Sequence, residues 1–220
     1  MSVITVERKV LEKNDKVAGT LRKRFTDKKI TALNLLSSPG SGKTTLLEQT
    51  LQRLKESISM CVIEGDVQTD RDAQRIAKYN VPVAQIVTNG GCHLDAQLVQ
   101  DAISRLDLDD IQLLFIENVG NLVCPASYDL GENNKIVVVS TTEGDDKPIK
   151  YPKMFRVANV CILNKIDLLP HVDFDVEAFT ENAQKINPFL NFFNLSAKTG
   201  EGMDDWCQWL QNETESKQAM

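Results

Sequence analysis

The sequence lacks the features by which membrane-spanning and secreted proteins are recognised. No apolar run in its 220 residues reaches about 18 residues, and no charged segment leads into an apolar one at the amino terminus, so neither a membrane span nor a secretory signal is expected. The five cysteines are odd in number and scattered, which does not suit a disulfide framework. We therefore expect a soluble, cytoplasmic protein whose cysteines are free to pack or to bind metal.

Positive charge is scarce except at the start of the chain. The net charge is −6, with 25 Lys and Arg against 31 Asp and Glu, yet residues 1–29 hold nine basic residues against four acidic ones. Apolar residues in this segment, at spacings of mostly four and seven, predict a helix laid on the domain or on a partner; they are Val6, Val10, Val17, Leu21 and Phe25. We expect a basic helical arm over 1–29 and one domain over 30–220 that binds no nucleic acid.

Beyond the arm, short β-rich runs alternate with segments of helical periodicity. Strands are predicted at Ile30–Leu36, Met60–Glu64, Val83–Val87, Leu113–Glu117, Lys135–Ser140, Val160–Asn164 and Phe192–Leu195, and helices near 43–56, 70–79, 94–106, 175–187 and 203–213. Most of these strands are apolar throughout, which is typical of strands covered on both faces. The pattern predicts a three-layer α/β fold with a mostly parallel sheet and ligands at the carboxyl ends of the strands.

A glycine-rich break follows the first predicted strand. The segment SSPGSGKTT fits G-x-x-x-x-G-K-[ST] except that Ser37 replaces the first glycine. In this pattern backbone N–H groups at a helix start cradle phosphates, the lysine contacts the terminal phosphates and the threonine hydroxyl holds Mg²⁺. A turn without a ligand is the alternative, but it would need many residue types to coincide. We predict a P-loop NTPase domain with phosphate-binding residues Gly40, Ser41, Gly42, Lys43, Thr44 and Thr45.

Acidic residues end two of the predicted strands. Glu117 ends LLFIE and precedes Gly120, which resembles a nucleotide sensor with a carboxylate near Mg²⁺ and the terminal phosphate. Asp66 and Asp72 are candidates for the magnesium shell or for positioning the attacking water, whereas positions 69 and 70 suit a helix cap equally well. We predict Thr44, Asp66 and Glu117 as magnesium ligands, and Lys43, Asp66, Asp72 and Glu117 as catalytic residues.

Two later segments, NKID and SAK, resemble the base-recognition loops of GTPases. A carboxylate at Asp167 accepts from the ring N–H and the exocyclic amine of guanine, whereas adenine has no donor pair there and would leave it unpaired. These motifs favour GTP and GDP as ligands over the ATP of a P-loop kinase, which competition of ATP against GTP would test. The predicted guanine-binding residues are Asn164, Lys165, Asp167, Ser196, Ala197 and Lys198.

A third group of residues has the chemistry of a metal site. Cys92 and His93 follow one predicted strand and Cys124 follows another, in loops rich in Gly and Pro, and thiolate and imidazole are ligands that zinc and nickel accept. The other cysteines are interpreted as structural, because Cys61 and Cys161 lie in apolar strands and Cys207 lies on the last helix. Three ligands from one chain predict a site that is open, completed by water or shared across a dimer.

Seven segments together resemble the nickel-insertion GTPases of hydrogenase maturation, the HypB family. In order they are SSPGSGKTT, IEGDVQTDRDA, GGCHLDA, IENVGNLVCP, TEGDDKPIKYP, NKIDLLP and SAKTGEGM. The resemblance implies a metallochaperone that binds GTP and a metal in one domain, forms a GTP-favoured homodimer and helps deliver nickel to the large-subunit precursor of nickel–iron hydrogenase. GTP hydrolysis is expected to be slow, because the sequence places no water-positioning glutamine or arginine finger. It also implies a small zinc- and nickel-binding accessory protein as partner. Residues 1–60 contain neither Cys nor His, so the N-terminal nickel store of some relatives is not carried over.

Alternatives to this function remain open at the level of sequence. A urease-maturation GTPase shares the fold but resembles a Cys-Pro-His arrangement, whereas here Cys92 adjoins His93 and Pro125 follows Cys124. A GTP-gated binding module with purely structural cysteines is the other alternative. In the dimer, Lys147 and Lys150 are predicted to lie in a loop that reaches the opposing nucleotide, or otherwise to be solvated charges.

Overall fold

The computed structural model describes residues 6–69 and 71–219, with side chains described from residue 9 onward. Its strands are β1 Thr31–Ser37, β2 Met60–Asp66, β3 Val83–Val87, β4 Leu113–Glu117, β5 Asn134–Ser140, β6 Val160–Asn164 and β7 Asn191–Asn194. They form one sheet in the order β3-β2-β4-β1-β5-β6-β7, and every neighbouring pair is parallel. The predicted parallel α/β sheet is therefore confirmed, with each strand displaced by two residues or fewer.

Helices cover both faces of the sheet. They are α1 Val6–Asp27, α2 Lys43–Leu54, α3 Arg71–Ala77, α4 Ala96–Ile103, α5 Lys147–Lys150, α6 Pro152–Val157, α7 Val176–Ile186 and α8 Met203–Ala219. The sequence reading missed α5 and α6, because each is too short to show a helical period. Each has a proline in its first turn, where the missing N–H costs nothing. The prediction of a loop at residues 147–150 was wrong.

Alternate side chains of the central strands point to opposite faces of the sheet, and each face packs against its own layer of helices. Leu33 and Leu35 of β1 are buried with α2 and α8, whereas Ala32 is buried with α1 and α4. On that second face α6 and α7 cover β5 and β6. Because each strand is covered on both sides, its side chains are apolar at odd and even positions alike.

The predicted amino-terminal helix packs on the sheet. Ala18, Leu21 and Phe25 of α1 are buried in the cluster that contains α4, while Val10 is about half exposed. The side chain of Val6 lies outside the described part of the chain. Helix α1 is therefore in contact with the second face of the sheet along its carboxyl-terminal half.

Because all the strands are parallel, the loops that follow them lie together along one edge of the sheet, formed by the carboxyl ends of the strands. Two of them need names: L3 is residues 88–95, between β3 and α4, and L4 is residues 118–133, between β4 and β5. None of the helices in the described residues is both long enough and apolar enough to cross a membrane.

Candidate functional site

The loop between β1 and α2 has the backbone of a phosphate cradle. Gly40 and Gly42 have φ of 77° and 96°, in the left-handed region that favours glycine. A Cβ on Gly42 would lie 2.5 Å from Asn164 Nδ2, so the base-recognition strand end packs directly against the loop. A Cβ on Gly120 would lie 3.0 Å from the Pro39 backbone. Both predicted glycine-rich segments therefore meet at the start of α2, where unpaired N–H groups favour an anion.

Lys43 is held at the centre of this cradle. Its ammonium donates to Ser37 Oγ at 2.7 Å and lies 3.9 Å from Glu117 Oε1, and the residue is buried. The serine that replaces the first glycine of the motif therefore supplies a partner for the lysine. Ser41 Oγ is buried without a hydrogen-bond partner among the described residues, which leaves a donor for a phosphate oxygen.

The predicted magnesium residues lie beside the cradle. Thr44 Oγ1 donates to Glu117 Oε1 at 3.0 Å, and Glu117 Oε2 is buried without a partner in the described residues. Oxygen ligands of this kind suit Mg²⁺, which binds through one or two carboxylates, a hydroxyl and water. Asp66 lines the same cavity, but its Oδ1 accepts from the backbone N–H groups of Gln68 and Thr69. Burial raises the pKa of Asp66, but the hydrogen bonds from Thr69 and Gln68 outweigh it and keep that pKa below its ordinary value.

A second buried carboxyl, Glu64, was missed by the sequence reading. Register pairs Glu64 of β2 directly with Glu117 of β4, and both are buried on the face covered by α2. Burial first, and then the Glu117 charge, raise the pKa of Glu64 to about 11. Burial also raises the pKa of Glu117, although Lys43 opposes this shift. These shifts favour a protonated Glu64, which can donate a hydrogen bond to Glu117. The available signal was an acidic residue inside the otherwise apolar run MCVIE.

An arginine also reaches the cavity edge. Arg75 donates to Glu48 at 2.5 Å, to Asp72 at 2.9 Å and to Thr45 Oγ1 at 3.3 Å. The predicted Asp72 is thus paired with a cation, and Asp70 lies outside the described residues. The cavity has a volume of about 540 Å³, and the predicted residues that line it are Gly40, Ser41, Gly42, Lys43, Thr44, Thr45, Asp66, Asp72, Glu117, Gly120 and Lys165.

A smaller cavity of about 260 Å³ lies next to it and is lined by the base-recognition motifs. Asn164 Oδ1 accepts from the N–H of Ala197 at 3.0 Å, and its Nδ2 donates to the carbonyl of Ser41 at 2.9 Å. Asp167 Oδ1 accepts from Ser196 Oγ at 2.6 Å, which orients the carboxylate. Both motifs are thus tied to the phosphate cradle. The predicted residues around this cavity are Gly42, Thr45, Asn164, Lys165, Asp167, Ala197 and Lys198.

Lys165 connects the two cavities. It takes a left-handed conformation with φ of 64°, and its ammonium donates to the Gly40 carbonyl at 2.7 Å. The lysine therefore braces the phosphate cradle from the base side. The two adjacent cavities are thus lined by the residues predicted for the phosphates and for the guanine of one nucleotide.

Loops L3 and L4 bring the three predicted metal ligands together. The ligand atoms of Cys92, His93 and Cys124 all lie within 4.8 Å of one another. The two loops do not leave neighbouring strands, because β2 lies between β3 and β4. Loop L3 passes over the end of β2 at Gly65, where a Cβ would lie 2.8 Å from Leu94 Cδ1. The glycine therefore makes room for L3 to reach L4.

The electrostatics of this cluster suit a cation. A hydrogen bond to Cys124 and then burial raise the pKa of the Cys92 thiol, and the charge of Cys124 adds to this shift. Burial lowers the pKa of His93, with Asp95 opposing, which favours the neutral imidazole that a metal ion binds. Its ring stacks on Tyr128 of L4 at 3.9 Å between centroids.

The remaining cysteines are buried, as their positions in the sequence suggest. Burial raises the pKa of Cys61 to about 12 and that of Cys207 to about 11, and it raises the pKa of Cys161 as well. These three thiols are therefore protonated side chains of the core.

Comparison with known proteins places the chain in a family. Residues 31–194 match the family model described as "CobW/HypB/UreG, nucleotide-binding domain". Hydrogenase maturation factor HypB of Escherichia coli K12 is 55% identical over 96% of this chain and 73% of its own length. Hydrogenase/urease maturation factor HypB of Helicobacter pylori J99 is 42% identical over 94% of this chain and 86% of its own length.

A solved structure agrees with these sequence matches. The crystal structure of HypB from Helicobacter pylori in complex with nickel superposes with a TM-score of 0.88 at 41% identity, covering 93% of this chain and 96% of that one. The fold, the nucleotide motifs and the relatives agree, and the chain therefore belongs to the HypB branch of the CobW/HypB/UreG family of P-loop GTPases.

Proposed function

We propose that this P-loop GTPase is a nickel-handling metallochaperone that assists the maturation of nickel–iron hydrogenase. The observation that carries the proposal is the convergence of Cys92, His93 and Cys124 at the strand edge that also holds the nucleotide cavities. The relatives named above are hydrogenase maturation factors, and one of their structures contains nickel. Zinc accepts the same ligands, so both ions enter the test.

The nucleotide roles follow from the contacts of each residue. Backbone N–H groups of the cradle and the Lys43 ammonium would bind the phosphates, and Asp167 would accept from the guanine ring. Thr44, Glu117 and Asp66 would hold Mg²⁺, which when bound neutralises charge on the terminal phosphates. Lys43, Asp66, Asp72 and Glu117 are proposed to serve hydrolysis from the same cavity.

The assembly and partners are part of the proposal. We infer a GTP-favoured homodimer packed across the nucleotide edge, a small zinc- and nickel-binding accessory protein and the hydrogenase large-subunit precursor as partners. Lys147 Nζ lies 3.5 Å from Ser38 Oγ of its own cradle and 3.4 Å from Glu143, while Lys150 is exposed and paired with Asp146. These contacts favour Lys147 over Lys150 as the lysine near the nucleotide.

Urease maturation is the second candidate function. A relative 42% identical to this chain is named a hydrogenase/urease maturation factor, so the target enzyme is not decided by the family. Addition of the chain with nickel and GTP to each metal-free precursor would distinguish the two targets.

The test of the metal site is a nickel and zinc titration of the wild type and of Cys92→Ala, His93→Ala and Cys124→Ala. We expect each variant to lose at least about tenfold in nickel affinity, because each removes one of three ligands. The matched control is Cys207→Ala, which removes a buried thiol on α8 and should bind nickel as the wild type does. Wild-type affinity in all three ligand variants would leave a GTP-gated module without a metal site.

The same titrations, made with GDP and with a non-hydrolysable GTP analogue, test the link to the nucleotide. We expect the nickel affinity to differ between the two states, because Cys124 follows Glu117 by seven residues. A displacement of Cys124 larger than the tolerance of about 0.2 Å in metal–ligand distance would change affinity. Equal affinity with both nucleotides would keep the metal site and remove the coupling.

A further inference from the structure

Helix α1 packs directly on L4. Ala18 and Arg22, one helical turn apart, contact the end of this loop. A Cβ on Gly131 would lie 2.8 Å from the Ala18 carbonyl, and Arg22 Nη2 donates to Asp129 Oδ1 at 2.6 Å. The loop that carries Cys124 therefore rests on α1.

One turn earlier on the same helix, the side chain of Asn14 contacts both loops. Its Nδ2 donates to the Asp129 carbonyl of L4 at 2.8 Å, and its Oδ1 accepts from the Ala96 N–H, where L3 ends, at 2.9 Å. Ala96 is the first residue of α4, so its N–H has no partner within its own helix. Asn14 is 6% exposed and Ala96 is fully buried, so water does not readily replace the amide.

Both hydrogen bonds end close to the metal ligands. Ala96 lies three residues after His93, and Asp129 directly follows Tyr128, whose ring stacks on the His93 imidazole. Cys124 lies on the same loop as Asp129, just before its 3-10 turn. A shift of L3 relative to L4 therefore changes the separation of Cys92 and His93 from Cys124.

We propose that Asn14 is a positioning residue for the metal site, acting as a clamp that sets the distance between L3 and L4. The inference rests on the metal site proposed above, since it assigns Asn14 a role toward those three ligands. Metal–ligand distances tolerate only about 0.2 Å, and residues that orient ligands from the outer shell typically contribute about 10- to 100-fold in metal affinity. This gives α1 a task beyond covering the sheet.

The experiment measures nickel affinity and the absorption spectrum of the cobalt-substituted protein, both with GDP bound. Asn14→Ala removes both hydrogen bonds, and Asn14→Leu removes them while keeping the side-chain volume. We expect each to lose about tenfold or more in nickel affinity and to change the cobalt–thiolate spectrum. GDP affinity should remain that of the wild type, because Asn14 contacts neither nucleotide cavity.

The matched control is Phe25→Leu, on the same helix and equally buried, which loses packing but makes neither of these hydrogen bonds. It should lower the unfolding temperature without changing nickel affinity or the cobalt spectrum. If Asn14→Ala does not fold, Asn14→Asp serves in its place, because it keeps the acceptor for Ala96 and loses only the donor to Asp129.

Nickel affinity and cobalt spectra that are unchanged in the Asn14 variants would overturn the proposal. An equal loss in Phe25→Leu would also overturn it, because the effect would then follow stability alone. Cys124→Ala, run alongside, separates this failure from that of the function: if it binds nickel like the wild type, the metal site itself is absent.

Discussion

At the scale of single residues, the proposed recognition of guanine depends on one carboxylate. Asp167 is held by Ser196 Oγ and lines the smaller cavity. Two donors of guanine need an ionic acceptor there, and hydrogen bonds to a charged group contribute about 1.5–3 kcal/mol each. We therefore expect the specificity for guanine to reside in Asp167, which lines the smaller cavity.

We predict that Asp167→Asn weakens GDP binding by roughly 10- to 100-fold, because an amide offers only one acceptor and adds a donor. Xanthine nucleotide should gain relative to guanine in this variant, since its ring carries a carbonyl where guanine has the amine. Competition binding of GDP and XDP measures both effects. Ser196→Ala is the milder control, since it removes only the group that orients Asp167. A loss of GDP without any gain of XDP would contradict the assignment.

The other residue-scale prediction concerns the pair formed by Glu64 and Glu117. Glu64→Ala leaves Glu117 without its proton donor, whereas Glu64→Gln keeps a neutral donor of similar shape. We expect Glu64→Ala to raise the Mg²⁺ concentration needed for half-maximal GTP hydrolysis by about tenfold, as for other outer-shell residues, and Glu64→Gln to restore it. Magnesium titrations of hydrolysis check this. The role assigned to Glu64 is wrong if both variants need the same concentration.

At the scale of elements, the end of β4 is tied to L3 as well as to the nucleotide. Asn118 follows Glu117 directly, and its Oδ1 accepts from the Leu94 N–H at 3.0 Å, one residue after His93. Its Nδ2 donates to Asn34 Oδ1 at 3.3 Å, within a buried polar chain that continues to Glu132 of L4. The strand end that we propose to meet the terminal phosphate thus contacts the backbone beside His93, a proposed metal ligand.

We predict that Asn118→Ala reduces the ratio of nickel affinities between the GTP-analogue and GDP states toward one. The same ratio must appear in nucleotide affinity measured with and without nickel, by linkage. Asn187→Ala is a suitable control, because that amide donates to the carbonyls of Phe155 and Ala158 at the carboxyl-terminal end of α6. A ratio that stays at its wild-type value in Asn118→Ala would show that the coupling takes another route.

These elements also show how far the sequence alone reaches. The strands of the sheet and the long helices were predictable because apolar runs and helical periods are local signals. The candidate ligands in L3 and L4 could be named from residue types after strands, and the structure brings these three side chains together. The clamp by Asn14 could not be predicted, because Asn14 bonds two residues that lie 82 and 115 positions further along the chain. The pairing of Glu64 with Glu117 could not be predicted either, because it depends on the register of β2 against β4, which no local sequence pattern specifies.

At the scale of the whole molecule, exposed apolar side chains lie near the nucleotide cavities, at the edge formed by the carboxyl ends of the strands. Val123, next to Cys124, is 60% exposed, and Ile149, on α5 beside the cradle, is 62% exposed. Phe189 is 91% exposed but precedes β7, so it lies at the opposite edge of the sheet. Exposed apolar residues near a functional edge suit an interface that forms and separates with the nucleotide state.

The proposed dimer gives the last prediction. With a GTP analogue, light scattering should report about twice the chain mass of 24.6 kDa, and with GDP the monomer should dominate. Val123→Glu should keep the analogue-bound protein monomeric, because dimerisation would bury an unpaired charge. Phe189→Glu, at the opposite edge, should dimerise like the wild type. Two sets of Cys92, His93 and Cys124 that meet across the interface would bind one nickel ion between them. In that case the monomeric Val123→Glu should bind one nickel per chain, and the dimeric Phe189→Glu should bind one per dimer. A monomer with either nucleotide, or a dimer unaffected by Val123→Glu, would place the interface elsewhere.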